Sequence, residues 1–376
     1  MYTPRLQNTV SDAPLKSPTG STSSTAGKSG TPTVLKKIKQ LVSDRNLDEA
    51  KSLLIQTIEQ DPGNATFLLI MSKLLTITKD YRSASIFVER AIKSDPLSAI
   101  ALFQQASIRF KQSDFKGALE SVDAALSLDP RSLQSFHLQQ RIHSKMSEYG
   151  QLIAGCERCL SIYPFDHRSY LNKATGFIKQ GRIQEAEELI IMATSMVPES
   201  SPLYAELGNI YSIQGLHSKA IQSYQQSVVL QKKTRPLTYL KLAKLFLEVN
   251  DYPQCRGSLG EYESSLRGLT RKGISNKFKA RYQYTQDFLF ACTLKGNSSL
   301  EPYRAAMLAI LRRMLLDNST LHGVLAEPMS SDAISGLPFE RVEELIIAGV
   351  KSFELQSKVN DGDFPSDMFD DELGAL

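Results

Sequence analysis

From Ala50 to Pro198 the chain repeats one pattern of apolar positions. A small residue is followed four places on by a bulky one, three further by a second small one, and five further by proline. The copies are Ala50-Leu54-Thr57-Pro62, Ala84-Val88-Ala91-Pro96, Ala118-Val122-Ala125-Pro130, Leu152-Cys156-Cys159-Pro164 and Ala186-Ile190-Ala193-Pro198. A sixth, Ala220-Tyr224-Ser227, lacks the proline and has extra residues before Pro236. Positions i, i+4 and i+7 share one face of a helix. The small residues let partner helices approach, the bulky one fills the gap, and proline stops the hydrogen-bond ladder. The five prolines are spaced by 34 residues each time, and a fixed period of that length marks a stacked repeat.

Each unit has an earlier stripe as well. Tyr204-Leu207-Gly208-Tyr211 is the clearest, matched less fully by Tyr170-Ala174-Phe177, Tyr239-Leu242-Ala243-Phe246 and Leu68-Met71-Leu75. Turn signals separate the stripes at Asp80-Tyr81, Asp114-Phe115, Gly181, Gly215 and Asn250-Asp251. Every unit therefore reads as two antiparallel helices.

At these residues the pattern resembles the tetratricopeptide-repeat (TPR) signature, Trp/Tyr…Leu-Gly…Tyr…Ala…Phe…Ala…Pro. The resemblance implies an all-α solenoid in which helix hairpins stack into a superhelix. It spans about residues 31–265 as seven repeats. The first has a weak leading helix, Val34 to Val42, and the fourth carries Leu152 where a small residue is expected. Ala84, Ala118, Ala186, Gly208, Ala220 and the prolines Pro62, Pro96, Pro130, Pro164 and Pro198 are the expected repeat-packing residues. The domain reading is a Ser/Thr/Pro-rich disordered tail at 1–33, repeats at 34–265, an irregular helical extension or cap at 266–359, and an acidic disordered tail at 360–376. The extension should hold helices near Asn276–Lys295, Leu300–Asp317 and Phe339–Val359.

Composition adds limits. Hydrophobic residues form 41% and charged residues 22% of 376, enough for a buried core over most of the length. A formal net charge of +4 is small for a general nucleic-acid binder. No apolar run reaches the length of a membrane span, about 18 residues, and the first 33 residues have no apolar stretch like that of a signal peptide. Four scattered cysteines fit a reducing compartment, so the expected location is intracellular, cytoplasmic or nuclear. Thr3, Ser17 and Thr31 each precede proline and are candidate phosphosites for proline-directed kinases.

Catalytic and metal chemistry find little support in the spacing. Cys156 and Cys159 form a C-x-x-C, but both occupy packing positions of a second helix, and no second Cys pair or His pair stands at ligand spacing. Gly27-Lys28-Ser29 resembles the end of a phosphate loop, yet Thr22 stands where its glycine is required. His143 replaces Phe177 and Tyr211 and reads as a packed core residue. No metal, no cofactor and no enzymatic activity are expected.

The resemblance implies that the first helices line a concave groove. Its inward-facing places carry Lys36, Lys39, Lys73, Lys111, Arg141, Lys145, Arg168, Lys179, Lys241 and Lys244, with Asn172 and Asn209 beside them. Glu206 and Glu248 are the acidic members. The expected function is a non-catalytic scaffold or adaptor subunit that binds acidic peptide segments or helices of other proteins in a basic groove. Assembly subunits of the cell-cycle ubiquitin ligase have this general plan. A co-chaperone reading would need a Lys/Asn-Asn-Lys/Arg clamp. The chain instead offers Leu69 and Lys73, Gln104, then Gln134 and Leu138. The asparagine ladder of the glycosyltransferase solenoid and the peroxisomal import receptor is missing too. A helical-repeat RNA-processing factor would need base-reading residues in every unit. The tail 361–376 carries six acids with Phe364, Met368 and Phe369, so it could dock into its own groove.

Overall fold

A computed structural model describes residues 31–44, 46–231, 235–267, 272–296, 299–316 and 337–361. Fourteen helices pair into seven hairpins. They are α1 (Thr31–Ser43) with α2 (Leu47–Gln60), α3 (Ala65–Ile77) with α4 (Tyr81–Ser94), and α5 (Ala99–Lys111) with α6 (Phe115–Leu128). Next come α7 (Leu133–Lys145) with α8 (Tyr149–Ile162), α9 (His167–Lys179) with α10 (Ile183–Met196), α11 (Ser201–Ile213) with α12 (His217–Leu230), and α13 (Pro236–Glu248) with α14 (Tyr252–Arg267). Three further helices follow: α15 (Lys272–Thr293, continued by the 3-10 turn Leu294–Gly296), α16 (Glu301–Leu316) and α17 (Phe339–Asp361). Among the described residues there is no strand, as the all-α solenoid reading requires.

Local chemistry sets the boundaries. The turn inside each of hairpins two to seven places one residue in the left-handed region: Lys79 (φ 65°), Ser113 (64°), Ser147 (59°), Gly181 (77°), Gly215 (73°) and Asn250 (60°). Glycine and asparagine suit that conformation, whereas the lysine and serines are strained there. Asn64, Ser98, Ser132 and Asp166 cap α3, α5, α7 and α9 by accepting from a backbone N–H in the first turn. The prolines from Pro62 to Pro198 are exposed, each one place beyond a C-cap residue. They act as stops at the turn, and their side chains lie outside the repeat interface in which the sequence reading grouped them. A second correction falls at the N-terminus. Thr31 to Thr33, assigned to the tail, begin α1, with Pro32 in a first turn that has no use for its missing N–H.

The packing follows the small-large-small pattern. Ala50, Ala84, Ala118, Ala186 and Ala220 have no exposed surface. Neither do Leu54, Val122, Cys156 and Ile190, and filling such a place with Leu or Ile is worth about 1.5–3 kcal/mol. Gly208 is small because the ring of Tyr224 lies where its Cβ would be. Successive odd-numbered helices pack on one another, α3 on α5, α5 on α7, α7 on α9 and α9 on α11, as do α13 and α15. Among the described residues even-numbered helices make no comparable contact with each other, so the odd helices form the inner layer. The extension adds its own core of Tyr284, Tyr303, Met307, Leu311, Met314, Leu345 and Ile346.

The fourth hairpin departs from this plan. Gln140 is buried at the place held elsewhere by Ser72, Ala106, Ala174, Gly208 and Ala243. Its amide is satisfied on both sides: Nε2 donates to Ser169 Oγ (2.8 Å), and Oε1 accepts from Asn172 Nδ2 (2.8 Å). A buried polar group needs such partners to avoid a desolvation penalty. His143, also buried, lies 2.9 Å through Nδ1 from Glu148 Oε2. A polar seam thus separates the apolar core around Val122 and Ile142 from the larger one that begins at Ile153.

Candidate partner-binding groove

The ten cationic places of the sequence reading all fall on odd-numbered helices, the inner layer. Lys36 and Lys39 lie on α1, Lys73 on α3, Lys111 on α5, and Arg141 and Lys145 on α7. Arg168 and Lys179 lie on α9, with Lys241 and Lys244 on α13. Lys111, Lys145 and Lys179 are exposed, while Lys73, Arg141, Arg168, Lys241 and Lys244 are half-buried. Burial lowers the pKa of Lys73, and the nearby charge of Lys39 adds to that. Arg141 stacks over the Phe110 ring, 4.8 Å from its centre.

The structure brings three of these cations together. A cleft of about 600 Å³ opens between α9, α11 and α13 and is lined by Lys179, Lys241, Lys244, Asn209, Glu206 and Glu248. Ile178, Ile213 and Leu245 supply apolar wall. This is where the repeat step lengthens: Gly208 and its counterpart Ala243 are 35 residues apart, against 34 in the earlier repeats. Among the described residues α11 and α13 do not reach the extent of contact seen between α9 and α11. The connection from α12 to α13 is one residue longer than those between the earlier hairpins. Charge in this cleft is mixed, three lysines with two glutamates.

Asn209 organises the cleft floor. Its Nδ2 donates to Glu206 Oε2 (2.6 Å), and its Oδ1 accepts from Tyr224 Oη (2.6 Å) and from Lys241 Nζ (2.5 Å). Lys241 Nζ also lies 5.8 Å above the Tyr224 ring. Burial raises the Tyr224 pKa, and the Glu206 charge raises it further, so the hydroxyl stays a neutral donor. Asn172 bonds Gln140 of the preceding repeat. Both asparagines that the sequence placed in the groove for a partner therefore hold one repeat to another. Gln104 does likewise, donating to Leu69 O (2.8 Å). These internal bonds were missed because the residues they join lie 32 to 35 positions apart on different helices.

Cys156 and Cys159 are buried in α8, and burial raises both thiol pKa values. One arrangement was not foreseen: His137, Cys159 and Asp166 bring a nitrogen, a sulfur and an oxygen within 4.8 Å of one another. The signal was present, since His137 stands where other first helices carry Leu35, Leu69, Phe103, Leu171, Ala205 and Leu240. Of the phosphosites, Thr3 and Ser17 lie outside the described residues and Thr31 starts α1. Residues 362–376, nearly all of the acidic tail, also lie outside them.

Tetratricopeptide-repeat family models match residues 79–132 and residues 201–234. No curated protein matches the chain. Among solved structures, a tetratricopeptide repeat protein from Parabacteroides merdae ATCC 43184 superposes with a TM-score of 0.52 at 16% identity, covering 70% of this chain and 98% of that one. It shares the fold. PilW, a type IV pilus biogenesis factor, gives a TM-score of 0.45 at 22% identity over 54% of this chain and 92% of its own. YrrB, a TPR protein with an unusual peptide-binding site, gives 0.38 at 16% identity over 47% and 92%. Those last two likenesses are too distant to carry an argument. The 34-residue hairpins, the small-large-small interfaces and the two matched stretches show that this all-α solenoid contains tetratricopeptide repeats.

Proposed function

We propose that the chain is a non-catalytic scaffold or adaptor whose inner face holds a segment of another protein, anchored in the cleft between α9, α11 and α13. The observation that carries this reading is the convergence of Lys179, Lys241 and Lys244 beside Ile178, Ile213 and Leu245. Cations around a partly apolar cleft suit a short segment that combines Asp or Glu with a bulky apolar residue. Charge would speed encounter and the apolar anchor would lengthen residence. The broader groove adds further cations toward the N-terminus, Lys73, Lys111, Arg141, Lys145 and Arg168, to the mixed charge of the cleft.

The chain's own residues 361–376 have the required composition, six acids with Phe364, Met368 and Phe369. They are the internal version of the proposed ligand. An intramolecular segment would compete at high local concentration with an outside partner. A co-chaperone role is less well supported, because Gln104, at a clamp position, already donates to Leu69 O. An RNA-processing role lacks an aromatic-basic code repeated from unit to unit. Among the described residues no helix is long and apolar enough to cross a membrane. Intracellular placement, cytoplasmic or nuclear, belongs to the same proposal and rests on the cysteine usage alone.

The test is fluorescence anisotropy of a labelled 361–376 peptide. It would be titrated with the full chain, with a chain lacking those residues, and with a Lys241→Glu, Lys244→Glu variant of the shortened chain. Tighter binding after tail deletion and at least ~10-fold weaker binding after charge reversal, about 1.4 kcal/mol, support the reading. Affinity unchanged by charge reversal would remove the cleft from it.

A further inference from the structure

We propose that His137, Cys159 and Asp166 form a binding site for a single divalent cation of the zinc class. The three residues come from different elements: His137 from α7, Cys159 from α8, and Asp166 from the cap of α9. Each departs toward a ligand at its own place in the repeat. Where His137 stands, the other first helices carry only apolar residues. Where Cys159 stands, the other repeats carry Thr57, Ala91, Ala125, Ala193, Ser227 and Tyr262. Where Asp166 caps α9, the caps of α3, α5, α7 and α11 are Asn64, Ser98, Ser132 and Ser200. Among the described residues, only the junction of the fourth and fifth repeats sets an imidazole, a thiol and a carboxylate at one corner.

The distances suit a shared ion. His137 Nε2 lies 2.9 Å from Asp166 Oδ2, and Cys159 Sγ lies 3.9 Å from the same oxygen. In a tetrahedral site with ordinary zinc bonds those separations are roughly 3.3 and 3.6 Å, within a few tenths of an ångström of these; the three donors span up to 4.8 Å, so admitting the metal also draws the imidazole and the thiol together by up to about 1 Å. The carboxylate is already fixed, because Asp166 Oδ2 accepts from the Ser169 N–H at 3.0 Å. Ser169 in turn holds Gln140. The corner is half-enclosed: the side chains of His137 and Asp166 are 15% and 9% exposed, and Cys159 is fully buried.

A mixed nitrogen, sulfur and oxygen donor set favours zinc over magnesium or calcium, which take oxygen ligands. Charge points the same way. Zn²⁺ with a thiolate, a carboxylate and a neutral imidazole sums to zero, which a poorly hydrated corner can accommodate. On binding, the Cys159 S–H bond is replaced by a Zn–S bond and the proton passes to solvent. His137 binds through Nε2 with its remaining proton on Nδ1. A fourth position would be taken by water or a partner's side chain. The ion would tie both helices of the fourth repeat to the cap of the fifth, across the polar seam.

Full-length protein without a polyhistidine tag would be stripped with chelator and dialysed against Zn²⁺ or Co²⁺. Metal content and the cobalt spectrum would then be read for the native chain, His137→Leu and Cys159→Ala. Both substitutions install residues that other repeats carry at those places, and helical circular dichroism checks that the variants fold. The expected result is one zinc per chain, a thiolate-to-cobalt charge-transfer band, and loss of both in each variant. The affinity loss should exceed the roughly 10–100-fold typical of losing an outer-shell partner. No retained zinc, equal retention in the variants, or a cobalt spectrum without a thiolate band would overturn the proposal.

Discussion

Gly208 and Tyr224 exclude each other's enlargement: a Cβ on Gly208 would lie 2.9 Å from Cγ, Cδ1 and Cε1 of the Tyr224 ring. The ring cannot retreat easily, since it is 2% exposed and its hydroxyl donates to Asn209. Gly208→Ala should therefore destabilise the chain by about 1–2 kcal/mol. The overpacking penalty of about 1–3 kcal/mol outweighs the gain of up to ~1 kcal/mol in helix propensity. Tyr224→Leu, which installs the residue seen at Leu54 and Leu259, should make Gly208→Ala harmless. Urea denaturation of the double-mutant set checks this, and simple additivity would contradict the contact.

The packing alanines give a harsher test. Ala186 and Ala220 have no exposed surface and sit where two helices meet. Replacing either with Arg buries an unpaired charge, with an expected loss on the order of 3–5 kcal/mol. A melting temperature equal to that of the native chain would be incompatible with the hairpin packing described.

The left-handed turn residues predict stabilisation. Lys79, Ser113 and Ser147 stand where Gly181 and Gly215 stand in later repeats, with φ between 59° and 65°. Glycine there relieves about 1–2 kcal/mol of strain but enlarges the entropy of the unfolded chain. Each substitution should add a net ~0.5–1 kcal/mol. Chemical denaturation of Lys79→Gly reads the sign directly.

Glu343 connects the helices of the extension. It accepts from Tyr303 Oη, and its Oε1 lies 3.1 Å from Lys295 Nζ. Burial alone would raise its pKa, but those bonds outweigh burial and hold it below its ordinary value of 4.5. A depressed folded-state pKa stabilises above the unfolded value, and that stabilisation is lost as pH falls through the folded one. Glu343→Gln should be less stable by about 1 kcal/mol at neutral pH, with the deficit vanishing in acid below the depressed pKa. A deficit that stays constant from neutral pH to pH ~3 would show that the charge on Glu343 is irrelevant.

The architecture was legible because it is written in local spacing. The turn residues act within one hairpin and the prolines from Pro62 to Pro198 mark the end of each, so a fixed 34-residue interval reveals them together with the alanines. What lies between repeats was harder to read. Asn172 and Asn209 looked like groove residues because their helix faces are right, yet their amides meet Gln140 and Lys241 about one repeat away. The convergence of Lys179, Lys241 and Lys244 depends on how far α13 stands from α11, which a pattern of faces does not contain. His137, Cys159 and Asp166 meet only because a second helix returns beside its first and delivers the next cap to the same corner.

In the proposed role the inner face binds an acidic segment with an apolar anchor at the cleft between α9, α11 and α13. A random-peptide display selection on the full chain, run in parallel on the Lys241→Glu, Lys244→Glu variant, tests it most directly. The expected result is enrichment of peptides in which Asp or Glu flanks a Phe, Met or Leu, and collapse of that enrichment on the variant. Enrichment of basic or uncharged peptides, or identical sets from both proteins, would contradict it.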